Sequence, residues 1–459
     1  MVTTGLVAID STILATAVPS IVADLGGFAA FPWLFSVYLL AQAVTVPVYA
    51  KLSDIVGRKP IILIGIGLFL LGSILCGFAW SMPALIAFRA IQGLGAGAVQ
   101  PMAITIAGDI YTVAERAKTQ GYLASVWAVS SVVGPTLGGV FSEFLSWRWI
   151  FFVNVPLCVL AAWMLTRYFH EKIERRSHRV DYAGAVLLTL GLTSLILAVL
   201  EGGQAWEWAS VQSVAAFGLG ALLLTAFVIV ERHAAEPILP LWVFSRRLLL
   251  TTTLVGLGVG AVLIGLTSYV PTYLEGALGV TPLVSGLALA ALTIGWPISA
   301  TLSGRFYLRI GFRSTVLFGM SITILGALTL TLFGHHPALF VVAASCFVIG
   351  LGLGLVATPA LIAAQSSVRW NERGVVTGTN MFARSIGSAV GVAIFGAIAN
   401  SIFASVPDGH RDAATVTQAG ATVFAAVLVC TIFTLVAALA MPQSRVEDVE
   451  LKAHTPRLE

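Results

Sequence analysis

Gln92-Gly93-Leu94-Gly95-Ala96-Gly97 and Ile349-Gly350-Leu351-Gly352-Leu353-Gly354 carry one glycine spacing, 257 residues apart. The match runs on without a gap. Glu115-Arg116 falls on Glu372-Arg373, Gly121 on Gly378 and Gly134 on Gly391. Upstream, Lys51, Gly57 and Lys59 fall on Arg305, Gly311 and Arg313 at a shift of 254. Agreement over some forty residues marks an internal duplication.

Both copies sit in apolar sequence. Of the 459 residues, 58% are hydrophobic and 10% charged, with a mean hydropathy of +0.96; a soluble domain is about a quarter charged. No soluble packing hides that much apolar surface. A bilayer core about 30 Å thick needs roughly 20 apolar helical residues. Fourteen such runs appear, at 2–21, 31–50, 60–79, 83–107, 120–142, 149–168, 182–200, 211–230, 249–273, 283–303, 314–333, 338–363, 376–402 and 415–441. The first lacks a basic leader and holds Asp10 at its middle, so it reads as a span and not as a signal peptide.

The repeat places spans 2–5 over spans 10–13, an offset of eight. Two six-span halves with two inserted spans explain that offset. The expected fold is an all-α polytopic membrane protein of fourteen transmembrane helices. It divides into a six-helix bundle at 1–168, a linker with the inserted pair at 169–247, a second six-helix bundle at 248–441 and a tail at 442–459.

With the N-terminus inside, 21 of the 25 Lys and Arg residues fall in cytoplasmic loops or the tail. This is the bias expected of a multi-pass protein with both termini cytoplasmic. Short loops suit a bacterial inner (plasma) membrane. Trp33, Trp80, Trp147, Trp149, Trp206 and Trp208 fall at outer ends, as an aromatic belt would. Cys76, Cys158, Cys346 and Cys430 lie in apolar runs and read as small hydrophobes, with no disulfide framework and no metal site. His335-His336 reads as a solvated loop pair, and Gly256, Gly258 and Gly260 as packing glycines. No P-loop occurs, so no nucleotide is expected as energy source.

Several residues stand out against this background. Ala50-Lys51-Leu52-Ser53-Asp54-Ile55-Val56-Gly57-Arg58-Lys59 is a tight turn with an acid and a basic pair, echoed by Gly304, Arg305, Arg309, Gly311 and Arg313. Arg89 lies about two turns into span 4; a cation there costs at least about 2.5 kcal/mol, so function or pairing is the default and outward snorkelling the alternative. Asp10, in Ile9-Asp10-Ser11-Thr12-Ile13, is the one carboxylate near the centre of any span. An isolated carboxylate in low dielectric tends to take up a proton. In span 5, Ser130 precedes Gly134-Pro135 and Gly138-Gly139, a helix broken at Pro135 whose small residues admit a neighbour. Trp147-Arg148-Trp149 through Asn154-Val155-Pro156 reads as an aromatic interfacial anchor. Asn380 and Arg384 precede Gly387 and Gly391 in span 13, and Arg384 either lines a cavity or pairs with a carbonyl. Gln42, Gln92, Trp296, Asn380 and Arg384 form the candidate substrate-binding set.

These motifs together resemble the major facilitator superfamily, in its fourteen-span drug:proton antiporter branch. The loop at 50–59 is similar to the signature Gly-x-x-x-Asp-Arg-x-Gly-Arg-Lys, with Ala50 and Ile55 as departures. Asp10-Ser11-Thr12 resembles the span-1 Asp-x-Thr motif, and Arg89 the span-4 arginine linked to proton coupling. Gly134-Pro135-x-x-Gly138-Gly139 is similar to the exporter signature, and the Trp147–Pro156 segment to the opening of span 6.

The resemblance implies a proton-coupled exporter, not an enzyme, working by alternating access. Asp10 and Arg89 would couple protons. Asp54, Gly57, Arg58, Lys59, Arg116, Gly134, Pro135, Gly138, Gly139, Arg305, Arg309 and Gly311 would serve gating, with Asp54 bracing the closed inner end through helix ends and arginines such as Arg116. The expected partners are the bilayer, protons and a small lipophilic substrate, cationic or neutral. No nucleic acid and no cofactor beyond the coupling proton is expected, and the chain is expected to be a monomer. An endogenous lipid or siderophore is the alternative cargo. An importer or a non-transporting sensor would lack the exporter signature or would need a soluble domain.

Overall fold

The computed structural model describes residues 1–26, 33–171, 181–202, 206–234, 237, 241–404 and 412–443. The basic linker at 172–180 and the tail from residue 444 lie outside them. So do the side chains of Pro19 and Pro135. The described chain is all helix: α1 Val2–Leu25, α2 Trp33–Val56, α3 Arg58–Gly77, α4 Met82–Ile110, α5 Val113–Phe144, α6 Trp149–Phe152, α7 Asn154–Tyr168, α8 Tyr182–Glu201, α9 Val211–His233, α10 Trp242–Ser245, α11 Arg247–Leu278, α12 Pro282–Ile310, α13 Phe312–Phe333, α14 Leu339–Ser366, α15 Arg373–Ala404 and α16 Ala413–Leu439. Among the described residues, eleven helical segments are long and apolar enough to cross a membrane, α6 and α7 counting as one. Helices α1, α5 and α8 stand outside that set.

Local chemistry sets the ends. Gly57 (φ 105°) and Gly311 (φ 82°) occupy the left-handed region between α2 and α3 and between α12 and α13, one tight turn in each repeat. A side chain at either would strain the backbone. Thr112 and Glu115 form a capping box at the start of α5. Asp181, Ser210 and Asp412 cap α8, α9 and α16.

The repeated glycines are wedges. A Cβ on Gly95 would lie 2.4 Å from the Phe69 backbone nitrogen of α3, and one on Gly93 2.5 Å from the Tyr38 carbonyl of α2. In the second half, Gly352 lies against Thr323 and Gly319 of α13, while Gly350 and Gly354 meet Leu292 and Trp296 of α12. Helix α4 therefore sits backbone-to-backbone between α2 and α3, as α14 does between α12 and α13. Lipid tails are as apolar as leucine, so such close packing replaces the hydrophobic drive that water would supply.

Helices α1–α7 pack mainly on one another, and so do α11–α16. Two seams join the groups, α2 with α15 and α5 with α12. Helices α8 and α9 pair through Gly191 against Leu224 and Gly220 against Leu195. Leu188 and Leu192 of α8 then join Leu40 and Val44 of α2 and Phe382 of α15 in one apolar cluster, so the pair covers the α2–α15 seam.

Two expectations are corrected. Helix α5 runs unbroken through Pro135. Thr12 of α1 donates to the Ser130 carbonyl (2.9 Å) one turn earlier, and a Cβ on Gly134 would strike the Thr12 hydroxyl. Pro135 removes one bond from a 32-residue helix packed along α1, and the rest of the ladder carries the helix through. Gly139, by contrast, faces open space and admits no neighbour. Trp147 is no belt residue either. It is buried, and its Nε1 donates to Asp24 (3.1 Å).

Gly95→Val and Gly352→Val should each lower the thermal midpoint of detergent-purified protein, by roughly the 1–3 kcal/mol of an overpacked core or more. Gly67→Ala, at a site with no atom near its Cβ position, should leave it unchanged. Equal midpoints for all three would contradict the wedge.

Candidate functional site

Four helices converge on Asp10. Arg89 Nη1 of α4 donates to its Oδ2 at 2.7 Å. Gln92 Nε2, one turn along α4, donates to Oδ1 at 2.8 Å, and Asn154 Nδ2 of α7 to the same oxygen at 2.9 Å. Ser73 Oγ of α3 accepts from both amides. The guanidinium is held on every side. Its Nη1 also reaches Gln92 Oε1 (2.7 Å), its Nε donates to the Leu34 carbonyl (3.2 Å), and it lies 4.2 Å over the Tyr38 ring. Asp10 and Arg89 are each 1% exposed.

The expectation of an isolated carboxylate is therefore corrected. Asp10 sits in an ion pair with three donors. Gln92, expected to meet substrate, is fully buried in that network. Asn154 and Ser73 were not foreseen as its partners. The only signal for Asn154 was its place in the Trp147–Pro156 segment, where the chain turns between α6 and α7.

A second polar cluster ties the two groups of helices together at one end of the bundle. Asp54 accepts from the backbone N–H groups of Gly374 (3.0 Å) and Val375 (2.7 Å), at the start of α15. A carboxylate at a helix N-terminus satisfies orphan donors and opposes the helix dipole. The arginine bound to Asp54 is Arg58 (2.6 Å), which also bonds Asp109 (3.2 Å) and the Trp370 carbonyl (2.7 Å) and stacks 4.0 Å over the Trp370 ring. Arg116, expected near Asp54, directs Nη1 to Ser366 (2.7 Å) and Nε to the Tyr111 carbonyl.

The cluster obeys the repeat. Arg373 meets Asp109 at 3.2 Å, and Arg116 meets Ser366; both pairs are related by the 257-residue shift. Tyr307 donates to the Val113 carbonyl at the start of α5, as Asp54 accepts at the start of α15. Gly374 and Gly378 abut Ala50, and Gly304 abuts Ala117. Small residues on both seams let the helices touch here.

The other candidate residues scatter. Lys59 Nζ caps α7 through the Thr166 and Phe169 carbonyls, while Glu171 accepts from the N–H groups of Arg58 and Lys59. Lys59 thus joins α3 to α7 within one group. Arg305 and Arg309 are exposed, so the second copy of the loop meets the other group through Tyr307 and Gly304, while Arg313, the counterpart of Lys59, donates to the Leu439 carbonyl within its own group. Gln42 Nε2 donates to Gln100 (2.9 Å), and Asn380 Nδ2 to the Thr252 carbonyl (2.9 Å). Trp296 is half-buried against the core of the second group.

Residues 1–392 match the sequence profile of the Major Facilitator Superfamily. The chain belongs to this superfamily. This facilitator is 36% identical over 396 residues to "Multidrug resistance protein 3" of Bacillus subtilis (strain 168), covering 86% of this chain and 77% of that protein. It is 35% identical over 394 residues to "Multidrug transporter protein MdtP" of the same organism, covering 86% and 73%. To "Efflux pump dotC" of Dothistroma septosporum (strain NZE10 / CBS 128990) it is 31% identical, covering 84% and 68%. Among solved structures, the human organic anion transporter MFSD10 superposes with a TM-score of 0.64 at 16% identity, over 94% of this chain and 97% of that one. The proton:xylose symporter XylE superposes with a TM-score of 0.65 at 12% identity, over 98% and 96%. At those identities the likeness is one of fold. This facilitator is a polytopic membrane transporter and not an enzyme.

Spin labels at Lys118 and Asn371, exposed and on opposite groups, should report one short distance in the wild type. Removing the charge-assisted bonds of Asp54, each about 1.5–3 kcal/mol, in Asp54→Ala with Arg373→Ala should add a longer-distance population. An unchanged distribution would mean that the cluster does not hold the groups together.

Proposed function

We propose that this facilitator is a fourteen-span, proton-coupled exporter of lipophilic compounds that works by alternating access. Its six-helix groups would be 1–168 and 248–441, with 169–247 as linker and inserted pair. Both termini would be cytoplasmic and the membrane a bacterial plasma membrane. The relatives named as multidrug resistance and efflux proteins support export of drug-like molecules. Helices α1, α5 and α8, of 24, 32 and 20 residues, are long enough to complete fourteen spans.

The buried pair of Asp10 with Arg89 carries the coupling. Paired, the site is neutral. A proton on Asp10 leaves Arg89 as a net positive charge at 1% exposure, and an uncompensated buried charge is strongly destabilising. The groups around the pair belong to α1, α2, α3, α4 and α7, so the favoured packing of that bundle changes with one proton. A substrate that prefers one packing then competes with the proton for the same equilibrium. Asp54, Arg58, Asp109, Arg116 and Arg373, bonded at one end of the bundle, would latch that end closed on the cytoplasmic side, while the other end receives the proton. Arg89 neutralises Asp10, so Asp10 does not by itself select a cationic cargo.

The test uses proteoliposomes with an imposed proton gradient and fluorescent lipophilic dyes of either charge. Wild type should move a dye with the gradient, and Asp10→Asn should lose that movement by tenfold or more while still exchanging dye downhill. Adding Arg89→Gln removes the orphaned charge, worth about 3–5 kcal/mol; it should restore the thermal midpoint without restoring coupling. Gradient-driven movement retained in Asp10→Asn would overturn the assignment.

A further inference from the structure

Arg384 lies eleven residues into α15, about 16 Å from its start at 1.5 Å per residue, and eight residues inside the apolar run at 376–402. Cations elsewhere in the bundle have partners: Arg89 has Asp10, Arg58 has Asp54 and Asp109, Arg373 has Asp109. Among the described residues, the Arg384 guanidinium makes no hydrogen bond or ion pair, and the residue keeps accessible surface.

Its neighbours fix where it faces. On one side α15 abuts α11: Gly256 lies against Asn380, Gly260 against the Arg384 backbone, and Gly387 against Leu257. On another side it abuts α2, through Gly374 and Gly378 against Asp54 and Ala50. Arg384, Ser385 and Ser388 form the strip between those faces at helical spacing, and all three are partly exposed. The exposed Val390 falls on the far side from Ser388. Since α11 and α2 belong to different groups, the strip faces the space between them. The hydroxyls of the two serines are engaged with the Met381 and Gly260 carbonyls. Following the α2–α15 contacts one more turn from Ala50 and Val46 brings Gln42 level with this strip, where it is bonded to Gln100. The polar groups at this level are hydroxyls and amides, and Arg384 is the charge among them.

A guanidinium inside a membrane-spanning run is unfavourable without a counter-charge. Its planar fork of donors fits a carboxylate, sulfonate or phosphate in a bidentate grip. We propose that the missing counter-charge arrives with the cargo: Arg384 binds the acidic group of an amphiphilic organic anion. This rests on the transporter reading above and replaces the cationic or neutral cargo expected from Asp10.

The probes are 1-anilinonaphthalene-8-sulfonate, a lipophilic sulfonate, and ethidium, a lipophilic cation. They are titrated against purified wild type, Arg384→Gln and Arg384→Lys in vesicles of zwitterionic lipid, with monodispersity and thermal midpoint measured for each. Wild type should bind the sulfonate about tenfold or more tighter than Arg384→Gln, the loss expected for a charge-assisted bond. Arg384→Lys should recover most of that affinity, and ethidium should bind Arg384→Gln at least as well as wild type. Equal sulfonate affinity in wild type and a folded Arg384→Gln, or wild-type preference for ethidium, overturns the proposal. If Arg384→Gln fails to fold, Arg384→Lys against wild type in a sulfonate-carboxylate competition series decides, and an unchanged series overturns it. Phosphatidylglycerol that displaces the sulfonate from wild type alone would assign the anion site to a lipid headgroup; no displacement would assign it to a free organic acid. Flux under the proton gradient is read separately: a wild type that binds the sulfonate at Arg384 but moves neither probe sinks the proton-coupled exporter reading and leaves the anion site standing.

Discussion

A charge within a bilayer has no water to fall back on, so each one must be paired, or held for a purpose. The pair of Asp10 with Arg89 meets that constraint with side chains from five helices, α1, α2, α3, α4 and α7, which makes its integrity a property of the whole first bundle. Neither residue can change its charge without altering what those helices prefer. The close packing of α3 on α4, through Gly95 against Phe69 and Gly72 against Gln92, brings a side chain as short as Ser73 within reach.

The same constraint at the end of the bundle yields a different device. Asp54, Arg58 and Asp109 of the first group bond across the seam to the start of α15, to the Trp370 carbonyl and to Arg373, where breaking the contact lets each partner regain water. Such bonds are individually modest and reversible, which suits a latch. The buried pair and the latch are joined by rigid elements: α4 carries Arg89 near one end and Asp109 at the other, and α2 carries Tyr38 under Arg89 and Asp54 at the seam. A shift of α2 against α4 therefore bears on both sites.

The inserted helices α8 and α9 also take on a definite place. They cover the α2–α15 seam with an apolar cluster, while the α5–α12 seam is joined by direct contact. The two lateral faces of the molecule thus differ although the repeat makes the underlying bundles alike.

Much of this was legible in the chain before folding. Apolar runs of span length, glycine triplets 257 residues apart and charges confined to loops are one-dimensional signals, because bilayer thickness and helix pitch convert directly into residue counts. They determined the helical class, the duplication and the special standing of Asp10, Arg89 and Asp54. Tertiary structure alone decided the partners. That Asp10 is neutralised by Arg89 and steadied by Asn154, that Asp54 caps α15 while Arg116 reaches Ser366, that α5 continues through Pro135, and that Arg384 has no counter-charge among the described residues all depend on which helix faces meet. Helix-to-helix contact is set by shape at ångström scale between segments remote in sequence, and no spacing along one helix encodes the rotation of its neighbour.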